Sequence, residues 1–216
     1  MSFLNELKNQ AQSLQDQQLG DHQSVAANTE VTEIACKVAL KYLQDLTAQL
    51  NVIQPPAHGS YSLDGKTPWP SLKLSAFRCD ARKKMLRSKE AFDYVAIGWN
   101  IVPAAGPVLQ NHVMVNFPPD MERVVQRIST GQVRHERKEI RHPDTNKLQA
   151  YRFEYETASF GSLSLTPEHD IGQVAFRVCN VGGFQILNTR YPSNQVNQAL
   201  MDELAKHLVG QSSRFG

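Results

Sequence analysis

The chain has 216 residues, of which 41% are hydrophobic and 20% are charged, and its formal net charge is +2. These values are ordinary for a globular protein and exclude both a disordered polyelectrolyte and a strongly basic nucleic-acid-binding domain. The longest apolar run is well short of the roughly 18 residues that a membrane-spanning helix needs.

The cysteine pattern and the N-terminus both favour a cytoplasmic protein. Cys36, Cys79 and Cys179 lie far apart, and three is an odd number. This pattern is typical neither of a disulfide framework nor of a clustered zinc site. The first residues lack the basic region and apolar run of a secretory signal. We therefore expect a cytoplasmic protein that binds no metal and no cofactor.

Residues 2–18 have the pattern of an amphipathic helix, which we call the N-terminal arm. Its apolar residues follow helical spacing: Phe3, Leu4, Leu7, Ala11 and Leu14. Two interpretations remain open. The arm docks on the protein's own core, or it contacts another protein or a second copy through Phe3, Leu4, Leu7 and Leu14. The stripe covers only two heptads, which is too short to predict a coiled coil.

A polar linker is predicted over residues 20–28, and a long helix is predicted to begin at Asn28 or Thr29. The residues expected to form its buried face are Val31, Ile34, Ala35, Val38, Tyr42, Leu46, Leu50 and Ile53. Pro55 and Pro56 end the helix. This pattern divides the chain into a helical N-terminal region, residues 1–56, and an antiparallel region, residues 57–216, that packs with the long helix as one unit.

Alternating apolar residues predict four strands, over residues 72–80, 92–102, 109–117 and 133–141. The second and third of these are expected to pair as a hairpin across a proline-rich turn. A short helix is predicted to begin at Pro118 and to end at Gly131.

Residues 148–191 predict a meander of about four antiparallel strands. Tyr151, Phe153 and Tyr155 alternate with charged residues, which places their rings on one face. We interpret this row as core rather than as a platform for stacking bases. A last helix, capped by Ser193, follows the meander.

These elements predict an α+β fold. It has a mainly antiparallel sheet of about seven to nine strands, strongly bent or barrel-like, with the long helix and the C-terminal helix packed on it. Strands and helices do not alternate as βαβ units, which excludes a doubly wound nucleotide-binding fold.

Positive charge is concentrated in residues 78–89, which we call the basic segment. Its six basic residues are Arg78, Arg82, Lys83, Lys84, Arg87 and Lys89. Asp80 alone opposes them, so the local charge is +5 and the rest of the chain carries −3. We expect a hairpin turn or short connector here. If it binds a polyanion, the affinity will fall steeply with salt.

No catalytic or metal-binding pattern stands out. The seven histidines are scattered, without the His-Glu-x-x-His spacing of a zinc hydrolase. No Gly-x-Ser-x-Gly elbow is present, and Gly182-Gly183 has the context of a hairpin turn rather than of a phosphate-binding loop. Glu168-His169-Asp170 and His142-Pro143-Asp144 are interpreted as surface turns.

Four short segments stand out together: residues 3–8, 35–37, 77–84 and 210–211. They resemble a group of uncharacterised proteobacterial proteins over most of the chain. The resemblance implies a bacterial cytoplasmic origin and implies no activity, ligand or catalytic residue.

The sequence therefore favours a non-catalytic binding or adaptor protein that contacts another macromolecule, with protein as the first choice. The first alternative is a module that binds anions or nucleic acid through the basic segment. The second alternative is an enzyme or small-ligand carrier with a pocket between the sheet and the long helix.

Overall fold

The computed structural model describes the backbone of residues 3–216 and the side chains of Lys8, Gln12 and residues 23–216. In chain order the elements are α1 (Phe3–Ile53), β1 (Leu72–Leu86), β2 (Lys89–Pro103), β3 (Gln110–Val115), α2 (Pro118–Gly131), β4 (His135–Arg141), β5 (Leu148–Glu156), β6 (Ser159–Glu168), β7 (Gln173–Cys179), β8 (Ile186–Pro192), a short 3-10 helix (Ser193–Gln195) and α3 (Gln198–Leu208). The predicted α+β class, with its long helix and its C-terminal helix, is confirmed.

The strands form two antiparallel sheets, and neither closes into a barrel. The larger sheet has the order β1-β2-β6-β7-β8, and the smaller has the order β3-β5-β4. The predicted hairpin of β2 with β3 is wrong, because both edges of β2 are occupied by β1 and β6. Instead β3 pairs with β5, where Val113 lies opposite Phe153 and Val115 lies opposite Tyr151. This pairing matches apolar side chains on one face.

The predicted meander is only partly correct, because β6, β7 and β8 form it and β5 belongs to the smaller sheet. The chain crosses between the sheets at Thr157, whose backbone N–H donates to Leu109 O at 2.9 Å. Phe153 and Tyr155 are buried, and Trp69 stacks on Tyr155 with ring centroids 5.9 Å apart. These two rings are core, as interpreted from the sequence.

Helix α1 continues through residues 20–28, so the predicted linker is wrong. Thr29 Oγ1 donates to Val25 O and Thr32 Oγ1 donates to Asn28 O, which are contacts of hydroxyls inside a helix. Asn28 does not cap a helix. Its Nδ2 donates to Asp170 O at 2.9 Å and joins α1 to the turn after β6.

The predicted buried face of α1 is only partly correct. Ala35 and Leu50 are buried, and Tyr42 and Leu46 pack against the core as predicted. The residues that face the sheet include Thr32, Ala35, Cys36, Ala39, Leu43, Thr47 and Leu50. Val31, Ile34 and Val38 are instead 39%, 54% and 38% exposed, and Ile53 is exposed as well. Most of the residues on this face are small, which favours close packing of the helix on the sheet.

Both ends of the C-terminal region are anchored by specific contacts. Helix α3 begins after Asn197, whose Oδ1 accepts the Leu200 N–H, whereas Ser193 begins the 3-10 helix and not α3 as predicted. Phe215 is buried, and its ring meets Phe176 edge to face at 5.5 Å.

Candidate functional site

The basic segment lies mostly in a long β-hairpin and not, as predicted, in a turn or connector. Strand β1 runs to Leu86 and β2 begins at Lys89. The turn itself is Arg87-Ser88, and both residues have positive φ, 48° and 66°. That conformation matches the tight two-residue turns that follow the natural twist of paired strands.

Acidic residues neutralise most of the basic segment. Arg82 and Lys84 both pair with Asp93. Their hydrogen bonds lower the pKa of the Asp93 carboxyl, and the bond from Lys84 has the larger effect. Lys83 lies 3.8 Å from Glu90, and Arg87 pairs with Asp170. The remaining two, Arg78 and Lys89, take part in no ion pair among residues 23–216.

The +5 charge read from the sequence window therefore overstates the field at the surface. Asp93 and Glu90 lie just beyond the window on the pairing strand, and including them reduces the local charge to +3. Asp170 comes from a turn far along the chain. Exposed pairs of this kind contribute little to stability, but they compete with a phosphate for the same cations.

The α1 helix and the tip of the β1–β2 hairpin enclose an open groove of about 780 Å³, which we call the hairpin groove. Its helix wall comprises Ala26, Ala27, Thr29, Glu30, Glu33 and Lys37. Its hairpin wall comprises Leu86, Arg87, Lys89, Glu90 and Ala91. Three cations and three carboxylates line the groove, so its formal charge is zero, and alanine and leucine side chains supply apolar surface between them.

Hydrogen bonds around Phe92 hold the two walls of the groove together. Glu33 Oε1 accepts the Phe92 N–H at 2.6 Å, and His169 Nε2 donates to Phe92 O at 2.9 Å. Arg87 adds a contact of 3.2 Å from its Nη1 to Thr29 Oγ1. Both backbone groups of one strand residue are therefore satisfied by side chains from other elements, which fixes the hairpin against α1.

His169 is a residue whose role sequence reasoning missed. It is 5% exposed, whereas its Glu-His-Asp context predicted a surface turn. The ring is buried because the β6–β7 turn packs against β2, and this tertiary contact is not visible in the local sequence. The neighbouring Asp170 remains exposed and pairs with Arg87, as expected for a turn residue.

Cys36 is not a reactive thiol, and the described side chains form no metal centre. Burial, with the Glu33 carboxylate as a smaller cause, raises the pKa of the Cys36 thiol to about 12, so the thiol is protonated at neutral pH and is a poor nucleophile. No group of three or more metal-ligating side chains occurs within that part of the chain.

The predicted contact residues of the N-terminal arm, Phe3, Leu4, Leu7 and Leu14, lie outside the described side chains. The arm's role in partner binding therefore stays a prediction. None of the helices, over the residues described, is both long and apolar enough to cross a membrane.

Comparisons with protein-family models, with curated proteins and with solved structures find no match to this chain. The site is therefore interpreted from its own geometry.

Proposed function

We propose that the protein is a non-catalytic cytoplasmic binding protein that holds a segment of another protein in the hairpin groove. The observation that carries this proposal is the balanced charge of the groove, which is lined by three cations, three carboxylates and apolar side chains. A polypeptide segment offers both signs of charge and apolar side chains, whereas a nucleic acid offers only negative charge along its backbone.

The dimensions of the groove fit this role. Its volume of about 780 Å³ lies within the roughly 300–1,000 Å³ of small-molecule pockets, which is room for a few side chains of a bound segment. Leu86 on the hairpin wall and Ala26 and Ala27 on the helix wall line the groove, so it can take a few apolar side chains. An amphipathic helix laid in a groove makes contacts of this kind.

The first experiment is native mass spectrometry of the protein isolated gently, at low salt, from its own host. We expect added mass that resolves into another polypeptide. The variant Leu86→Glu should lose that polypeptide, because a carboxylate would replace apolar groove surface. The control is Met85→Glu at the neighbouring position, which is 67% exposed and does not line the groove. Retention of the partner by Leu86→Glu would contradict the proposal.

Added mass from nucleotide, or from another polyanion, would favour the basic segment instead. Charge reversal at Lys83, Lys84 and Arg87 would then abolish binding, and affinity would fall steeply between about 50 and 200 mM salt. Added mass from a small molecule that Leu86→Glu releases would favour a ligand carrier.

The N-terminal arm extends the same proposal. Among residues 23–216, the hydrogen bonds that join α1 to the rest of the protein begin at Asn28. We expect that deleting residues 1–20 will leave thermal unfolding unchanged and weaken association with the partner polypeptide. Unfolding of the shortened protein would show that the arm belongs to the core.

A further inference from the structure

The solvent-facing side of α1 carries a row of residues at alternating spacings of three and four, which we call the outer row. Its members are Val31, Ile34, Val38, Lys41, Asp45, Ala48 and Val52. Ile34 is 54% exposed and Val52 is 83% exposed. This spacing is that of a coiled-coil seam, and it lies on a different side of the helix from the buried residues.

The two charges in the outer row are one helical turn apart and have opposite signs. Neither Lys41 nor Asp45 takes part in an ion pair within the described part of the chain. Ile34 and Val38 precede them, and Ala48 and Val52 follow them. The outer row of one helix is therefore complementary, in charge and in apolar surface, to the outer row of a second copy that runs antiparallel to it.

We propose that two copies of this chain pair through their outer rows, with the α1 helices antiparallel and Lys41 of each copy opposite Asp45 of the other. In that register Val38 faces Ala48 of the second copy, and Ile34 faces Val52. A two-fold axis relates the two copies, so each of these contacts occurs twice, as in the self-complementary interface of a symmetric dimer. Each aliphatic pair removes exposed apolar surface from water.

Charge complementarity selects this occupant and this register. A parallel pair would place Lys41 against Lys41 and Asp45 against Asp45, which is repulsive. An antiparallel pair centred on Val31 and Ile34 would place Lys41 opposite Ser24 and leave the ammonium group without a counterion. Polar residues in such a seam set register and orientation because an unpaired charge there is costly.

The dimer does not rest on the proposed function. The outer row shares no residue with the walls of the hairpin groove, so different substitutions test the two proposals. A substitution in the outer row therefore tests the dimer alone, and Leu86→Glu tests the groove alone.

Sedimentation equilibrium of the full chain tests the proposal. The unaltered protein should be a dimer. Lys41→Glu and Asp45→Lys should each weaken the dimer by about a hundredfold in Kd, because like charges then face each other at two equivalent positions. The double variant Lys41→Glu/Asp45→Lys should restore the dimer, since the swapped charges again match. Lys147→Glu, in the exposed connection between β4 and β5, should leave it intact.

Circular dichroism and thermal unfolding of each variant separate dissociation from loss of fold. A monomeric unaltered protein at about 100 μM would overturn the proposal, since useful pairing needs a smaller Kd. Failure of the double variant to restore the dimer would overturn it too. So would a dimer that Ile34→Glu dissociates but Lys41→Glu does not, because the contact would then have another register.

Discussion

Trp99 lies directly over Gly161, its partner across the β2–β6 pair, and a β-carbon on that glycine would be 2.1 Å from the indole Nε1. Trp99 is fully buried and stacks on Phe77 with ring centroids 5.7 Å apart. The backbone of Gly161 is not in the left-handed region, so glycine is needed here for space. The indole fills the volume that a side chain on β6 would otherwise occupy.

Replacing Gly161 by alanine should therefore destabilise the protein by about 1–3 kcal/mol, the usual cost of overpacking a core. The Trp99 ring would have to move against Phe77. Urea unfolding followed by tryptophan fluorescence measures both the stability and the environment of the indole. Ser164→Ala, on the opposite face of β6, should change stability by less than about 0.5 kcal/mol. Equal effects of the two substitutions would contradict this account.

The Asn51 side chain binds both backbone groups of Phe77. Asn51 Nδ2 donates to Phe77 O at 2.9 Å, and Asn51 Oδ1 accepts the Phe77 N–H at 2.7 Å. It closes the bulge where β1 shifts register between Ser75 and Arg78. Asn51→Ala should cost about 2–3 kcal/mol, because it leaves a partly buried donor and acceptor unpaired. Amide exchange at Phe77 should become faster, and Gln49→Ala on the exposed side should leave it unchanged. Slow exchange in Asn51→Ala would show that the bulge is held by other contacts.

Asp64 makes folding stability depend on acidic pH. Burial alone would raise its pKa. Its carboxylate accepts hydrogen bonds from the backbone N–H groups of Thr67 and Lys66 and from the hydroxyls of Ser62 and Thr67. Together these four hydrogen bonds outweigh the effect of burial and lower the pKa from 3.8 to about 2. The folded state therefore holds its proton less tightly than the unfolded state does, and stability from this site is present above pH 4 and lost as pH falls toward 2.

The variant Asp64→Asn should be less stable than the unaltered protein by about 1–2 kcal/mol at neutral pH, a value that allows for solvent screening. Urea unfolding between pH 7 and pH 2 measures this difference. The gap should be constant above about pH 5 and should shrink to a small fraction near pH 2, where the carboxyl is protonated in the unfolded state and about half protonated in the folded state. A gap at pH 2 as large as that at pH 7 would contradict this assignment.

His207 contributes a second pH dependence in a separate window. Its ring lies beside Phe215, with centroids 6.0 Å apart, and burial lowers the pKa of the imidazole. As pH falls below the unfolded value of about 6.5, the unfolded state takes up a proton before the folded state does, so stability decreases. We expect His207→Gln to remove this slope between pH 7 and 5 while leaving the Asp64 effect unchanged. An unaltered slope would assign it to another group.

Local patterns in the sequence predict much of the fold correctly. Helix α2 begins at Pro118 and ends at Gly131 as expected, because a proline at the start and a glycine at the end are signals that neighbouring residues carry. Alternating burial along β2 and β6 likewise follows from the period of a strand. The strand pairings do not follow in the same way, since β3 has an apolar face that either β2 or β5 could match.

The candidate site shows the same division. Its chemistry is visible in the sequence as a cluster of basic residues, but the partners that neutralise the cluster are not. Asp93 and Glu90 oppose it across a hairpin, and Asp170 reaches Arg87 from another turn. Sequence windows do not reveal such pairs, because electrostatic contact depends on distance in space.

The sequence by itself determined that this protein is α+β, that its long helix ends before Pro55, and that no familiar catalytic pattern is present. Only the tertiary structure decided which side of that helix is buried. Helical periodicity assigns Val31, Ile34 and Val38 to the core beside Ala35 and Leu50, yet of these five only Ala35 and Leu50 are buried. The sheet packs against the side of the helix that carries Ala35, Cys36, Ala39 and Leu43, where mostly small residues favour close packing. The large apolar side chains are consequently left on the surface, where they form the outer row through which we expect a second copy to bind.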